Sequence, residues 1–526
     1  MRCSPSISRT PRASRSRFCT PTTGSSAMPT DQPGFTIRHY CQGIGDCHLL
    51  RFDTAGGGDF WMLIDCGIHT AIKGGSQIID DIVEDLYQRT KGKIDVLVLT
   101  HEHTDHISAF RESSNRFSRF SIGEVWMAWT ESPSDPQAQQ LDRFKQQALS
   151  ALSGASRQLH GANAAGTAAF RDGLDQLLAF SFGAQGETVR AMRDAAAKLG
   201  KAGVRYLEPT LAPLDMPGVP AVRVYVLAPS RNADYLDIID RVGERYPMAN
   251  SLQGLRTAES LTNAFRAAAS GSGFTDPTAP FDASQGTPLS ELTRPGKTFA
   301  ADPIGRFAYA HYYGPSDHSD LLDTGKSAKT VDASATDQAW RRIDFDWLGG
   351  AGTLAMQLDN KINNTSLVLA FEIVATGRVV LFAADAQIGN WLSWQDATWK
   401  MPDGTTVTGP DLLKRTVYYK VGHHGSENAT AKAKGLELMI SEDLTAFIPT
   451  NAEDAGKVRW GRMPFPSLLA ALDTQCHQRV VRADDAQLLK GTASFQAPSG
   501  SIKALRVGSV GKGNDQRRTW IEFDVA

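Results

Sequence analysis

From Phe35 onward the chain alternates between two hydrophobic periods. Phe35 to His39, His48 to Phe52 and Phe60 to Ile64 read as successive strands, the last two separated by the turn Gly56-Gly57-Gly58. Ile78, Ile79, Ile82, Val83 and Leu86 then recur at helical spacing, with Ser76 as the expected N-cap and Asp80 and Asp81 in the first turn. This helix leads to the apolar run Ile94 to Leu99, a buried strand, and Val125 to Trp129 adds another. Asp135 to Gly200 reads as helical. Pro136 suits a first helical position, Leu141, Phe144, Ala148 and Leu152 form one apolar face, and Lys198 with Gly200 closes a later helix. Val222 to Leu227, Arg378 to Phe382 and Thr416 to Val421 return to strand, whereas residues 230 to 340, rich in Ala, Ser, Gly, Thr and Pro, predict long loops around short helices. Such alternation predicts an α/β fold, two sheets sandwiched between helical layers.

The strand ends carry the chemistry. His101-Glu102-His103-Thr104-Asp105-His106 places four metal-binding side chains straight after the Ile94 strand. Neutral imidazoles and carboxylates bind zinc, manganese or iron, and a metal-bound water loses its proton near neutral pH. On an extended or tightly turning segment, His101 and His103 project to one side while Asp105 and His106 curl toward a neighbouring position, which suits two ions. Thr416 to Val421 runs into Gly422-His423-His424-Gly425-Ser426, so five of the 12 histidines occupy two strand-end motifs. Between them, the strand ending at Ala383-Ala384-Asp385 offers one more carboxylate where a bridging ligand is useful. Alone, an aspartate there is a turn former or helix cap; its company suggests more.

These residues resemble the metallo-β-lactamase-fold hydrolases, and among them the soluble hydrolase domain of ComEC-type bacterial DNA-uptake proteins. Gly43-Ile44-Gly45-Asp46-Cys47 looks like that family's glycine-aspartate loop, and Leu63-Ile64-Asp65-Cys66-Gly67 like its strand-end Asp-x-Gly. Asn363-Asn364-Thr365-Ser366-Leu367-Val368-Leu369 is similar to its Asn-x-Ser-Leu-Val strand, and Lys420 to Ser426 to its Lys-x-x-His-His-Gly-Ser. The likeness spans residues 35 to 110 and 360 to 450. It implies an αββα four-layer sandwich with a helical insertion and long loops. It also implies that His101 and His103 bind one ion, that Asp105 and His106 bind a second, that Asp385 bridges them, and that His423 or His424 completes the second ion's ligand set. Asp46 and Asp65 then orient ligand imidazoles and, with Asp105, form the candidate catalytic carboxylates.

The chain departs from this family pattern in three places. Ala384 stands where the family commonly has glycine. A separate histidine for the first ion has only His160, His311 and His318 as candidates, with His318 ranked first, so the site is open to a mononuclear or asymmetric form. Pro464-Phe465-Pro466 replaces a His-Pro element.

Composition narrows the function class. A length of 526 residues suits roughly two to four average domains, divided here into a disordered extension (1–30), the first half of the core (31–130), a helical insertion (131–220), a strand with long loops and a candidate lid (221–350), and the second half of the core (351–526). The insertion is placed either to wall the substrate cleft or to extend the scaffold. A net charge of -2 advertises no basic field for nucleic acid. Six cysteines without paired spacing indicate reduced thiols and a cytoplasmic location, and no apolar run approaches the roughly 20 residues that span a bilayer. Cys47 and Cys66 read as small buried strand residues. The arginine-rich, acid-poor head before Asp31 reads as a disordered extension, with Met28 a candidate for the true start. The expectation is a hydrolase using one or two Zn2+ ions, or Mn2+, on a nucleic-acid phosphodiester or nucleotide. The alternatives are hydrolysis of a small ester, lactone or amide, and a metal-binding scaffold without turnover. No membrane contact is expected, and no protein partner is indicated.

Overall fold

The computed structural model describes residues 35–162, 188–209, 212–236, 347–458, 461–485, 500–510 and 517–526, with isolated positions at 174–175, 178–179, 181, 238, 244, 303, 307, 311–312 and 488. The expected N-terminal extension, His318 and most of 221–350 lie outside the described residues.

Strands β1 (Phe35–Tyr40), β2 (Cys47–Asp53) and β3 (Asp59–Cys66) form an antiparallel meander. Helix α1 (Gly75–Thr90) then crosses over to β4 (Lys93–Leu99), which pairs parallel to β3. Its buried Ile79, Ile82, Val83 and Leu86 make the apolar stripe that holds it on the sheet. The helix starts earlier than Ser76 predicts. Gly74, in the left-handed region at φ 74°, is its cap, no acid lies in the first turn, and the Ser76 hydroxyl instead accepts a 2.8 Å hydrogen bond from Arg116. Strand β5 (Ser121–Ala128) stops one residue short of Trp129, whose indole donates to the Pro229 carbonyl at 2.9 Å. Next come α2 (Pro136–Ala162), α3 (Val189–Ala197), β6 (Val204–Leu207), β7 (Leu214–Asp215) and β8 (Val222–Ala228).

Helix α4 (Trp347–Asn364) runs through the two asparagines expected to open a strand; β9 (Val368–Ile373) begins only at Val368. The helix ends where the Thr365 and Ser366 amides turn back to the Ile362 and Asn363 carbonyls at 3.0 and 3.1 Å, and tertiary contacts hold that end: the Asn364 side-chain amide donates to the Leu236 and Ile238 carbonyls, both at 3.1 Å. After β10 (Arg378–Phe382) come α5 (Ile388–Ser393), a hairpin of β11 (Thr398–Lys400) and β12 (Thr406–Thr408), and α6 (Gly409–Lys414). The chain closes with β13 (Thr416–Lys420), β14 (Thr445–Ile448), α7 (Pro466–Gln475), β15 (Val480–Arg482), β16 (Ile502–Val510) and β17 (Arg517–Val525).

Among the described residues two large sheets result, ordered β16-β17-β1-β2-β3-β4-β5-β6 and β15-β14-β13-β10-β9-β8-β7. One apolar cluster draws on both, with Phe35, Leu50, Met62 and Val98 from the first and Val224, Phe371, Val380 and Phe447 from the second. The first sheet packs α1 and α3 through Leu63, Leu97, Ile82 and Met192, and the second packs α5, α6 and α7 through Leu381, Trp391, Leu412 and Leu472. A separate cluster joins α2 to α4 through Ala148, Leu152, Leu354 and Leu358. In both sheets the neighbouring strands β3-β4-β5 and β10-β13-β14 run parallel. Clefts at the carboxyl ends of parallel strands are where α/β folds hold ligands. No helix among the described residues is long and apolar enough to cross a membrane.

Candidate metal centre

Four strands deliver the polar cluster. Asp65 is the penultimate residue of β3, His101 lies two residues past β4, Asp385 follows β10 and His424 follows β13. Close backbone approach makes this convergence possible. A Cβ on Gly67 would lie 2.4 Å from the Asp105 backbone, and one on Gly45 2.6 Å from the Asp105 carbonyl, so both positions exclude any side chain. The Asp46 amide donates to the Asp105 carbonyl at 3.0 Å, and the Leu367 amide to the Thr100 carbonyl at 2.9 Å, which ties the ligand loop to both halves of the fold. Asp65, Ala384, His423 and His424 all hold left-handed backbone (φ 54°, 47°, 41° and 54°), strain of the kind that gathers at functional sites. Ala384 thus adopts the conformation for which glycine is the easier residue.

The side chains meet around Asp385. Its Oδ2 lies 3.2 Å from His106 Nε2, 3.4 Å from His424 Nε2 and 3.9 Å from His101 Nε2. His424 Nε2 is 2.8 Å from Asp105 Oδ2, and His101 Nε2 is 3.1 Å from His103 Nδ1. These six residues are at most 2 % exposed. Asp65 decides the tautomers: it accepts from the Thr100 amide (2.8 Å), the Thr100 hydroxyl (2.6 Å) and His106 Nδ1 (2.8 Å), which leaves His106 Nε2 as the lone-pair nitrogen. With its proton given to Asp65, the Thr100 oxygen accepts from His101 Nδ1 at 3.1 Å, so Nε2 of His101 likewise faces inward.

The donor set fits a cation. Lone-pair atoms and two buried carboxylates this close repel one another unless positive charge lies among them, and the Asp105 Oδ1 atom is buried without a hydrogen-bond donor. Three overlapping sets of ligating atoms occur: His101, His106 and Asp385; Asp105, His106 and His424; and Asp46, Asp65 and His106. Without a cation, protons take its place. Burial disfavours charge on His106 and His424, yet Asp385 and Asp105 outweigh it and push both pKa values up. Burial together with neighbouring imidazoles instead depresses His101, and burial above all takes His103 down to about 3. Burial works against ionised Asp105 and Asp385, but His106 and His424 hold both below the usual carboxylate range.

The remaining predicted residues are placed differently. His423 turns aside: its Nδ1 meets the Ser426 hydroxyl at 2.8 Å and its Nε2 the Asn363 amide at 3.2 Å, while its backbone amide donates to Asp385 Oδ1. Asp46 pairs with the buried Lys420, and its Oδ2 sits 3.4 Å from His48 Nε2 and 3.9 Å from His106 Nδ1. Its main contact is therefore a lysine, and Asp65 is the carboxylate that orients His106. His311 packs beside Phe307 and, like His103, enters none of the three sets, and the rings of His160 and His318 lie outside the described residues.

Several members escaped the sequence reading. His39 bridges His48 (Nδ1 to Nδ1, 2.8 Å) and the Tyr418 hydroxyl (2.7 Å) in a chain that leads to Asp46; two histidines in β1 and β2 gave no motif. Glu102, between two candidate ligands, joins Glu131, Lys145 and Arg193 in a buried square of charges with contacts of 2.6–3.0 Å. Through it α2 and α3 grip the ligand loop. The carboxylate of Asp359, on α4, stands 3.6 Å from His103 Nε2, and burial together with Asp105 and Asp385 pushes its pKa up to about 7. His69, buried just beyond β3, interacts electrostatically with Asp105 and His424, and burial lowers its pKa. A histidine four residues past Asp65 was the available signal for it.

Residues 42–161 match the family model of the metallo-beta-lactamase superfamily, a span that holds Asp46, Asp65 and the whole of His101–His106. No curated protein matches the chain. Asp385 and His424 lie beyond the matched span, and folding brings them to it.

Proposed function

We propose that the protein is a metal-dependent hydrolase of αββα metallo-β-lactamase type that cleaves a phosphodiester bond in a nucleic acid or nucleotide. One or two zinc or manganese ions would be held by His101 and His103 on one side and by Asp105, His106 and His424 on the other, with Asp385 between. When bound, such ions supply Lewis acidity and make water nucleophilic near neutral pH. Asp65 and Thr100 fix the inward nitrogens of His106 and His101, and burial keeps bulk solvent from the reacting atoms. The observation that carries this reading is the convergence on Asp385 Oδ2 of nitrogens from His101, His106 and His424.

The choice of phosphodiester rests on the resemblance of Gly43–Cys47 and Lys420–Ser426 to DNA-uptake hydrolases. Free Cys41, Cys47, Cys66 and Cys476 support a reducing, cytoplasmic setting. A second reading, hydrolysis of a small ester, lactone or amide, draws support from the apolar wall of Leu152, Leu178, Ala355 and Leu358 beside His103 and Asp359. Metal-loaded protein incubated with single-stranded DNA, RNA, bis-p-nitrophenyl phosphate and a lactone panel separates the two. Phosphodiester cleavage abolished in Asp105→Ala and Asp385→Ala supports the first reading, and activity confined to lactones or esters supports the second.

A further inference from the structure

We propose that Asp359 is a positioning residue of the metal centre, its carboxylate facing Nε2 of His103 and electrostatically favouring the proton on that atom, so that Nδ1 of the ring is the nitrogen offered toward the cation; this rests on the metal reading above. Two nitrogens that share one ion must face the same point. His101 offers Nε2, fixed by the Thr100 contact to its Nδ1, and the atom of His103 nearest to it, at 3.1 Å, is Nδ1. A neutral ring that gives Nδ1 to the ion carries its proton on Nε2, and 3.6 Å from that atom stands Asp359 Oδ1.

The carboxylate is itself oriented. One helical turn further along α4, the Asn363 amide donates to Asp359 Oδ2 at 3.3 Å, and the same amide nitrogen lies 3.2 Å from His423 Nε2, so Oδ1 is the oxygen left toward His103. The Asp359 side chain keeps 24 % of its surface while the His103 side chain keeps 3 %, which places the carboxylate on the outer side of the ring. Asp359 thus faces His103 as Asp65 faces His106, at 3.6 Å rather than the 2.8 Å of the Asp65 hydrogen bond.

The test compares zinc affinity, by competition with a chelator at pH 7, in the wild type, Asp359→Asn and Asp359→Glu, alongside the thermal stability of each metal-free protein. The expected result is zinc binding weaker by roughly 10–100-fold in Asp359→Asn, substantially recovered in Asp359→Glu, with metal-free stability no lower than wild type. Equal zinc affinity in wild type and Asp359→Asn overturns the assignment and leaves the metal centre standing. A loss of affinity that merely follows a loss of metal-free stability overturns it too. A wild type that binds no zinc removes the metal reading itself.

Discussion

His424 Nε2 stands 2.8 Å from Asp105 Oδ2 across 319 positions of sequence. The contact joins the turn that follows β13, in the second sheet, to the one-turn helix Thr104–Ile107 that follows β4, in the first. If both atoms serve one ion, His424→Gln and Asp105→Asn should each remove the same equivalent of zinc, and the double variant should lose no more than either alone. Losses that add would place the two residues on different ions.

The neighbouring histidine should behave otherwise. The His423 ring is held by Ser426, Asn428 and Asn363, and only its backbone amide reaches Asp385. His423→Gln should keep wild-type metal content while His424→Gln does not, measured on the same preparation by atomic absorption. The reverse ranking would exchange their roles.

Much of this centre was legible in the sequence, for physical reasons. A ligand cluster after an apolar run is a local pattern, and β4, β10 and β13 are short continuous hydrophobic strands whose ends are easily read. The choice between His423 and His424 was not legible, because it depends on left-handed backbone at two successive residues. Asp359 was hidden for a different reason: it is one carboxylate on an ordinary helix, and only the packing of α4 on α2 through Leu152 and Leu358 brings it beside His103. The Ser76 cap failed because Gly74 supplies the turn from backbone freedom alone.

The buried charge square should matter for stability as well as for the ligand loop. Lys145 and Arg193 each touch both Glu102 and Glu131, all four side chains being at most 12 % exposed. Burial opposes ionised Glu131, but Lys145 and Arg193 prevail and lower its pKa. Lys145→Met strands one of the two carboxylates and should cost about 3–5 kcal/mol in urea unfolding. Adding Glu131→Gln should recover part of that loss, because the surviving cation then faces a single carboxylate. A Lys145→Met variant as stable as wild type would refute the coupling.

Metal uptake should depend on pH in a defined direction. Asp385 and Asp105 outweigh burial and raise His106 and His424 above 6.5, so near neutral pH the metal-free centre carries protons that an incoming cation must displace. Zinc affinity should therefore rise with pH through the neutral range, with roughly one to two protons released per binding event. Calorimetry in buffers of different ionisation enthalpy counts them. Affinity that falls or stays flat as pH rises contradicts the assignment.

Asp385 is the hub of the centre, and elemental analysis of its alanine variant beside the wild type is the most direct test. After dialysis against zinc and gel filtration, the wild type should retain one or two equivalents and Asp385→Ala at least one fewer, with unchanged far-ultraviolet circular dichroism. Equal stoichiometric zinc in the two proteins would show that the cation sits elsewhere, and no zinc in either would show that these side chains hold none.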